Sequence, residues 1–156
     1  MLLITESYIK EEKTMTVNQL SVFIENRRGR LGEVLKVLKE NEVNILSMSL
    51  ADTTEYGLLR LIVNKPEQGR DVLLSAGFSS MLTGILIVKV PHVAGALQEI
   101  LALIAENDID IEYMYGLSVE ATDATIVVKT NEIDRACEVF KKHNIGTMSK
   151  EEIEAL

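Results

Sequence analysis

The sequence predicts an α+β protein of two tandem βαββαβ units, each an antiparallel four-stranded sheet with its helices on one face. Three observations lead there. The chain repeats itself, since a shift of 66 positions lays Val22 on Val88, Gly29 on Gly95, Leu31 on Leu97, Glu33 on Glu99 and Asn41 on Asn107. Within each copy the apolar period switches from that of a strand to that of a helix and back. Finally, 156 residues that are 47% apolar and only 4% aromatic suit two small aliphatic cores.

Residues 1–15 are expected to form an N-terminal extension, because the first strand pattern begins only in MTVNQLSVF, which opens at Met15. The first unit, 16–82, starts with LSVFIE (20–25), a β-branched and aromatic run. Leu31, Val34, Leu35 and Leu38 then fall at helical spacing. VNILSMSLA and GLLRLIV are two apolar strands, followed by a polar helix over Pro66–Ala76 with proline in its first turn and Gly77 at its end. FSSML closes the unit.

The second unit, 83–148, repeats the order: ILIVKV, a helix over Ala94–Asn107, IDIEYMYGLSV, ATIVVKT, a helix over Glu132–His143 and a short strand near Ile145. In the tail, 149–156, Ser149 stands three residues before Glu152, a capping-box spacing that predicts a short helix. A split βαβ order puts both helices of a unit on one face of its sheet. Yet GLLRLIV is apolar on both faces, so the other face or an edge is expected to meet another domain or subunit.

The net charge of -8 argues against a nucleic-acid partner, whose phosphates require clustered Lys and Arg, and against anionic lipid. One cysteine, Cys137, cannot form an intrachain disulfide, and no run approaches the roughly 20 apolar residues that span a bilayer. A cytoplasmic protein without membrane contact is the expectation. No P-loop, G-x-S-x-G or zinc spacing is present. Asp108, Asp110 and Glu112 share a strand face, but no further hard ligands cluster with them, so no metal and no cofactor is expected.

The chemistry concentrates at the repeated strand–glycine–helix corner, ENRRGRLGEVL in the first unit and PHVAGALQEIL in the second. A helix that starts at such a turn exposes backbone N–H groups carrying the positive end of its dipole, and these hold carboxylates or phosphates. Asparagine, as both donor and acceptor, can address a carboxylate and an ammonium.

The run ENRRGRLGEVLKVLKENEVNI resembles the ACT domain, a small ligand-binding regulatory module with a ferredoxin-like βαββαβ fold. Asn26, Gly29, Leu31 and Val43-Asn44-Ile45 match its motif, as do Gly95, Leu97 and Ile109-Asp110-Ile111 in the second copy, where His92 and Asp110 replace Asn26 and Asn44. The resemblance implies a stand-alone pair of ACT domains, not an enzyme, that binds an amino-acid-like ligand at a domain interface. It further implies a homodimer and a possible metabolic-enzyme partner.

Carried over residue by residue, the resemblance nominates Asn26, Gly29, Arg30 and Leu31 of the first copy on one side of a domain interface and Asn44 on the other. In the second copy it nominates His92, Gly95, Ala96 and Asp110. If the corners oppose each other, Asn26 and His92 would share one pocket within the chain, or two across a dimer. Serine-sensing members carry a histidine where Ile24 stands and a proline where Arg28 stands, so serine itself is not the expected ligand. Two other readings compete: a regulatory subunit whose sheet surface binds a metabolic enzyme, and an acylphosphatase-like enzyme built on Arg28 and Asn44, whose glycine-valine-glutamine loop signature is missing.

Overall fold

The computed structural model describes residues 15–52, 55–119 and 123–156; apart from Met15, the expected extension lies outside the described residues. The first half runs β1 (Val17–Glu25), α1 (Arg30–Glu40), β2 (Ile45–Asp52), β3 (Tyr56–Val63) and α2 (Pro66–Ser75). A long β4 (Ser79–Pro91) leads into α3 (Ala96–Glu106), β5 (Ile111–Val119), β6 (Asp123–Thr130), α4 (Ile133–Lys142) and a terminal α5 (Lys150–Glu154).

Two separate four-stranded sheets were expected. The strands instead form one six-stranded antiparallel sheet in the order β2-β3-β1-β4-β6-β5. The last strand of the first unit and the first strand of the second are one continuous strand of 13 residues. Its first half pairs with β1, from Phe23↔Ser79 to Val17↔Ile85, and its second half pairs with β6, from Leu86↔Val128 to Pro91↔Asp123. The eighth strand expected near Ile145 reduces to a single bridge, Val88↔Thr147.

The strand period sorts the core into three parts. Leu20, Val22 and Ile24 of β1 face Val34 and Leu38 of α1 and Leu73 of α2. Leu86, Val88 and Val90 of β4 face Ile104 of α3 and Ala136, Val139 and Phe140 of α4. The opposite parity, Val17, Ile85, Ile87 and Val127 together with Ile62, makes a third core that Ile153 of α5 caps. The doubly apolar β3 is thereby explained, because its second face is buried within the same chain.

That third core exists because the sheet curls until its edge strands touch. Ser47 Oγ of β2 donates to the Gly116 carbonyl of β5 at 2.7 Å. Between the two halves lies a polar cluster on fully buried Gln19. Its Nε2 donates to the Tyr113 hydroxyl at 2.8 Å and to Ser21 Oγ at 3.0 Å, and the Tyr115 hydroxyl donates to its Oε1 at 2.7 Å. Arg60 of β3 stacks on the Tyr113 ring at 3.7 Å, a cation–π contact between the halves.

Burial, and then the neighbouring Tyr113, push the Tyr115 hydroxyl well above the ordinary tyrosine range, while Arg60 opposes the shift. A raised folded-state value means the stabilisation is complete below a pH of about 10 and is lost as pH rises past it. Alkaline denaturation should therefore set in near that pH. In Tyr115→Phe the alkaline limb of a pH–stability curve should be shallower.

Alpha5 bridges the halves. Ser149 caps it, accepting from the Glu152 amide at 3.3 Å while the Glu152 carboxylate accepts from the Ser149 amide at 2.7 Å. The Ser149 amide bond holds the Glu152 carboxyl below its ordinary range. Lys150 reaches Glu67 of α2 at 3.7 Å and Glu152 reaches Lys89 of β4 at 3.4 Å, so each half receives one ion pair. No helix among the described residues is long and apolar enough to cross a membrane.

Candidate functional site

Both corners have the same backbone. Gly29 precedes α1 at φ 87°, ψ -15°, and Gly95 precedes α3 at φ 90°, ψ -17°. A Cβ at either position would meet nothing within 4 Å, so glycine is required by the left-handed turn and not by crowding. Gly29→Ala and Gly95→Ala should each cost about 1–2 kcal/mol, readable as a lowered thermal midpoint. Neither helix start is capped by a side chain; the Arg30 and Ala96 amides donate to the Arg27 and Val93 carbonyls at 3.3 Å, and the amides that follow them stand at the positive end of the dipole.

Each corner opens onto its own cavity. The first, about 140 Å³, is bounded by Asn26, Arg27 and Leu31 and by Leu50, Asp52 and Gly57 from the neighbouring strands. There the Asn26 side chain donates to Asp52 Oδ1 at 3.1 Å, and its backbone amide donates to the Glu55 carbonyl at 3.0 Å. The second, about 400 Å³, is bounded by Val90, His92, Val93 and Leu97 with Ala124 and Ile126 of β6. The corners differ in chemistry. The first offers carboxylates beside the positive end of a helix dipole, and the second offers an apolar wall with one imidazole.

Among the nominated residues, the structure groups Asn26, Gly29 and Leu31 at the first corner and His92 and Gly95 at the second, where Leu97 joins them. Asn26 and His92 line separate cavities, not the shared pocket that opposed corners would make. Asn44 and Asp110 lie elsewhere. The register Ile45↔Val63 and Asp52↔Gly57, with Ile24↔Gly57, puts Asn44 at the end of the sheet away from Asn26. The Asn44 amide donates to Asn64 Oδ1 at 2.9 Å, and the Asp110 amide donates to Asn131 Oδ1 at 3.2 Å, the same bracket in both halves.

Arg30 turns away from the corner. Its guanidinium stacks on Phe78 at 4.3 Å and pairs with Glu33, which leaves little of it exposed. Ala96, its counterpart, does not bound the second-corner cavity; its side chain packs into the second core. Leu50 and Asp52 were not visible as site residues in the sequence, since the β2–β3–β1 register that carries them there is long-range. Among the described residues no group of three or more His, Cys, Asp or Glu could hold a metal ion. Burial pushes the Cys137 thiol up, so it is a weaker nucleophile than a free cysteine.

Known proteins can now be set beside this geometry. The family model described as "ACT domain pair" matches residues 15–156. Protein BT0572 from Bacteroides thetaiotaomicron is similar at 30% identity, with 91% of this chain and 98% of that chain covered and a TM-score of 0.86. The regulatory subunit of aspartate kinase from Thermus thermophilus shares 12% identity over 84% of this chain and 98% of that one, with a TM-score of 0.56. Its Thermus flavus counterpart shares 11% over 83% and 97%, with a TM-score of 0.55, and at such identities the likeness is one of fold. No curated protein matches the chain.

Proposed function

The chain belongs to the ACT domain pair family, and from that premise we propose that it is a non-catalytic regulatory protein that binds an amino acid at its strand–glycine–helix corners. The observation that carries this reading is the pair of uncapped helix starts behind left-handed glycines, each opening onto a cavity. The first-turn amides take the ligand's carboxylate. At the first corner Asp52 and the Asn26 carbonyl oxygen take its ammonium. The apolar wall of the second corner suits a ligand with an aliphatic side chain. Each half works as one sensor unit, and β4, shared by both, joins them so that a change at one corner reaches the other.

The dependence of thermal unfolding on each of the twenty amino acids tests the proposal, with a dye reporting because tryptophan is absent. A ligand present at about 100 times its dissociation constant adds roughly 2.7 kcal/mol. At this chain length that raises the midpoint by about 5–10 °C. A flat profile across the panel, in a protein that unfolds cooperatively, rejects amino-acid sensing.

A subunit role is a second reading, favoured by the open end of the sheet face, where Phe23 is 47% and Met81 is 50% exposed. A second copy or a metabolic enzyme would cover them. Sedimentation of Phe23→Ser against the parent protein tests that, because the substitution should shift a self-associating chain toward monomer.

A further inference from the structure

The two halves differ at one place where their frameworks coincide. In the first half the Arg30 side chain fills a slot between the start of α1 and the turn that precedes β4, with Glu33 as its ion-pair partner and the Phe78 ring as its floor. The internal repeat puts Ala96 where Arg30 stands and Glu99 where Glu33 stands; with the one-residue slip of the second helix, Ile145 replaces Phe78 and Asn144 replaces Gly77. The backbone follows, as Gly77 and Asn144 are both left-handed at φ 87° and 54°.

The side chain that fills the slot in one half is thus missing from the other. A cavity of about 290 Å³ remains, lined by Ala96, Glu99, Ile100, Asn144 and Ile145. Lys89 and Asp123 also border it. The Lys89 ammonium is paired with Glu152 of α5, so it does not set the charge of the slot alone. Glu99 sits at the position from which Glu33 binds a guanidinium in the other half.

We propose that this second-half slot is a binding site for an alkylguanidinium group, which takes the position that the Arg30 side chain holds in the first half. The cation pairs with the Glu99 carboxylate, and its methylene stem lies on Ile100 and Ile145. A planar guanidinium presents several donors in a fixed fork, which a neutral group of the same shape lacks. The site adjoins the carboxylate cradle at the second corner and shares the start of α3 with it, but it takes a cation through Glu99, and the proposal stands whether or not that cradle binds an amino acid.

The test uses n-propylguanidinium and its neutral counterpart n-propylurea as probes, with amide chemical shifts of the full chain as the readout. Propylguanidinium should shift the amides of Ala96–Ile100 and Asn144–Gly146 saturably, and propylurea should not. Glu99→Gln should weaken binding by about tenfold or more, the loss of one charge-assisted contact. Ala96→Arg should fill the slot and abolish the response. Arg30→Ala should open a second site, with new shifts around Glu33 and Phe78.

Equal responses to the two probes, no saturable response, or binding that survives Glu99→Gln unchanged would each overturn the proposal. The Glu99→Gln arm keeps the test decisive if Ala96→Arg does not fold, because Glu99 lies on the surface.

Discussion

Gln19→Ala should lower stability by about 3–5 kcal/mol, one of the largest effects of any single substitution in this chain. Gln19 is fully buried at the contact between the two halves of the sheet, and its amide satisfies Tyr113, Tyr115 and Ser21 at once. Truncation leaves two phenol hydroxyls without that partner, each unmet group costing about 1–3 kcal/mol, and adds a cavity, while Ser21 keeps its hydrogen bond to Thr83 at 3.1 Å. The sum is capped because the partners can relax toward one another. At about 2–4 °C per kcal/mol, the midpoint should fall by roughly 6–20 °C.

The mechanism has its own control. If the loss comes from stranded polar groups, removing the partners as well should restore part of it, since an apolar replacement of the whole network strands nothing. Gln19→Leu combined with Tyr113→Phe and Tyr115→Phe should then be more stable than Gln19→Leu alone, as read by urea denaturation. A triple variant less stable than the single one would show that packing, not hydrogen bonding, holds this contact.

Removal of residues 149–156 should cost about as much, roughly 3–5 kcal/mol, and should make the protein associate. Alpha5 is short, yet Ile153 is 2% exposed and seals Val17, Ile62, Ile85, Ile87 and Val127, four of which have no exposure at all. Deleting it bares this apolar surface at the mouth of the third core. Ile153→Ala alone should account for about 2–4 kcal/mol of the loss, the ordinary cost of a buried isoleucine. Light scattering and denaturant unfolding of the truncated chain check both parts. Lys150→Ala should matter far less, because its pairs with Glu67 and Glu154 are exposed.

Several features were readable in the sequence because they are local and repeated. Gly29 and Gly95 mark the same left-handed turn, and apolar spacing places Leu38 and Ile104 on buried helix faces. The capping spacing of Ser149 and Glu152 is local too. What the sequence hid depends on distant pairing. FSSML and ILIVKV look like two strands because Gly84 separates them, yet pairing to β1 on one side and β6 on the other keeps β4 unbroken. A glutamine within a strand gives no sign that tyrosines from the other half will satisfy it. Arg30 seemed to belong to the corner because its partner Phe78 is remote in sequence.

The corners themselves were legible as glycine turns, while their walls were not. Leu50 and Asp52 arrive through the β2–β3 register, and Ala124 and Ile126 arrive through β6. Asn44, nominated by resemblance, stands at the opposite end of the sheet from Asn26 of the same unit because β2 returns antiparallel, so the two could meet only across an interface.

The central claim is that the two corners are the ligand site, and amide chemical-shift mapping with whichever amino acid raises the thermal midpoint tests it most directly. The account predicts saturable shifts at Gly29–Gly32 or Gly95–Leu97, accompanied by Asn26 and Asp52 or by His92 and Ile126. Shifts confined to Asn44, Asp110 and their asparagine brackets, with both corners silent, would contradict it.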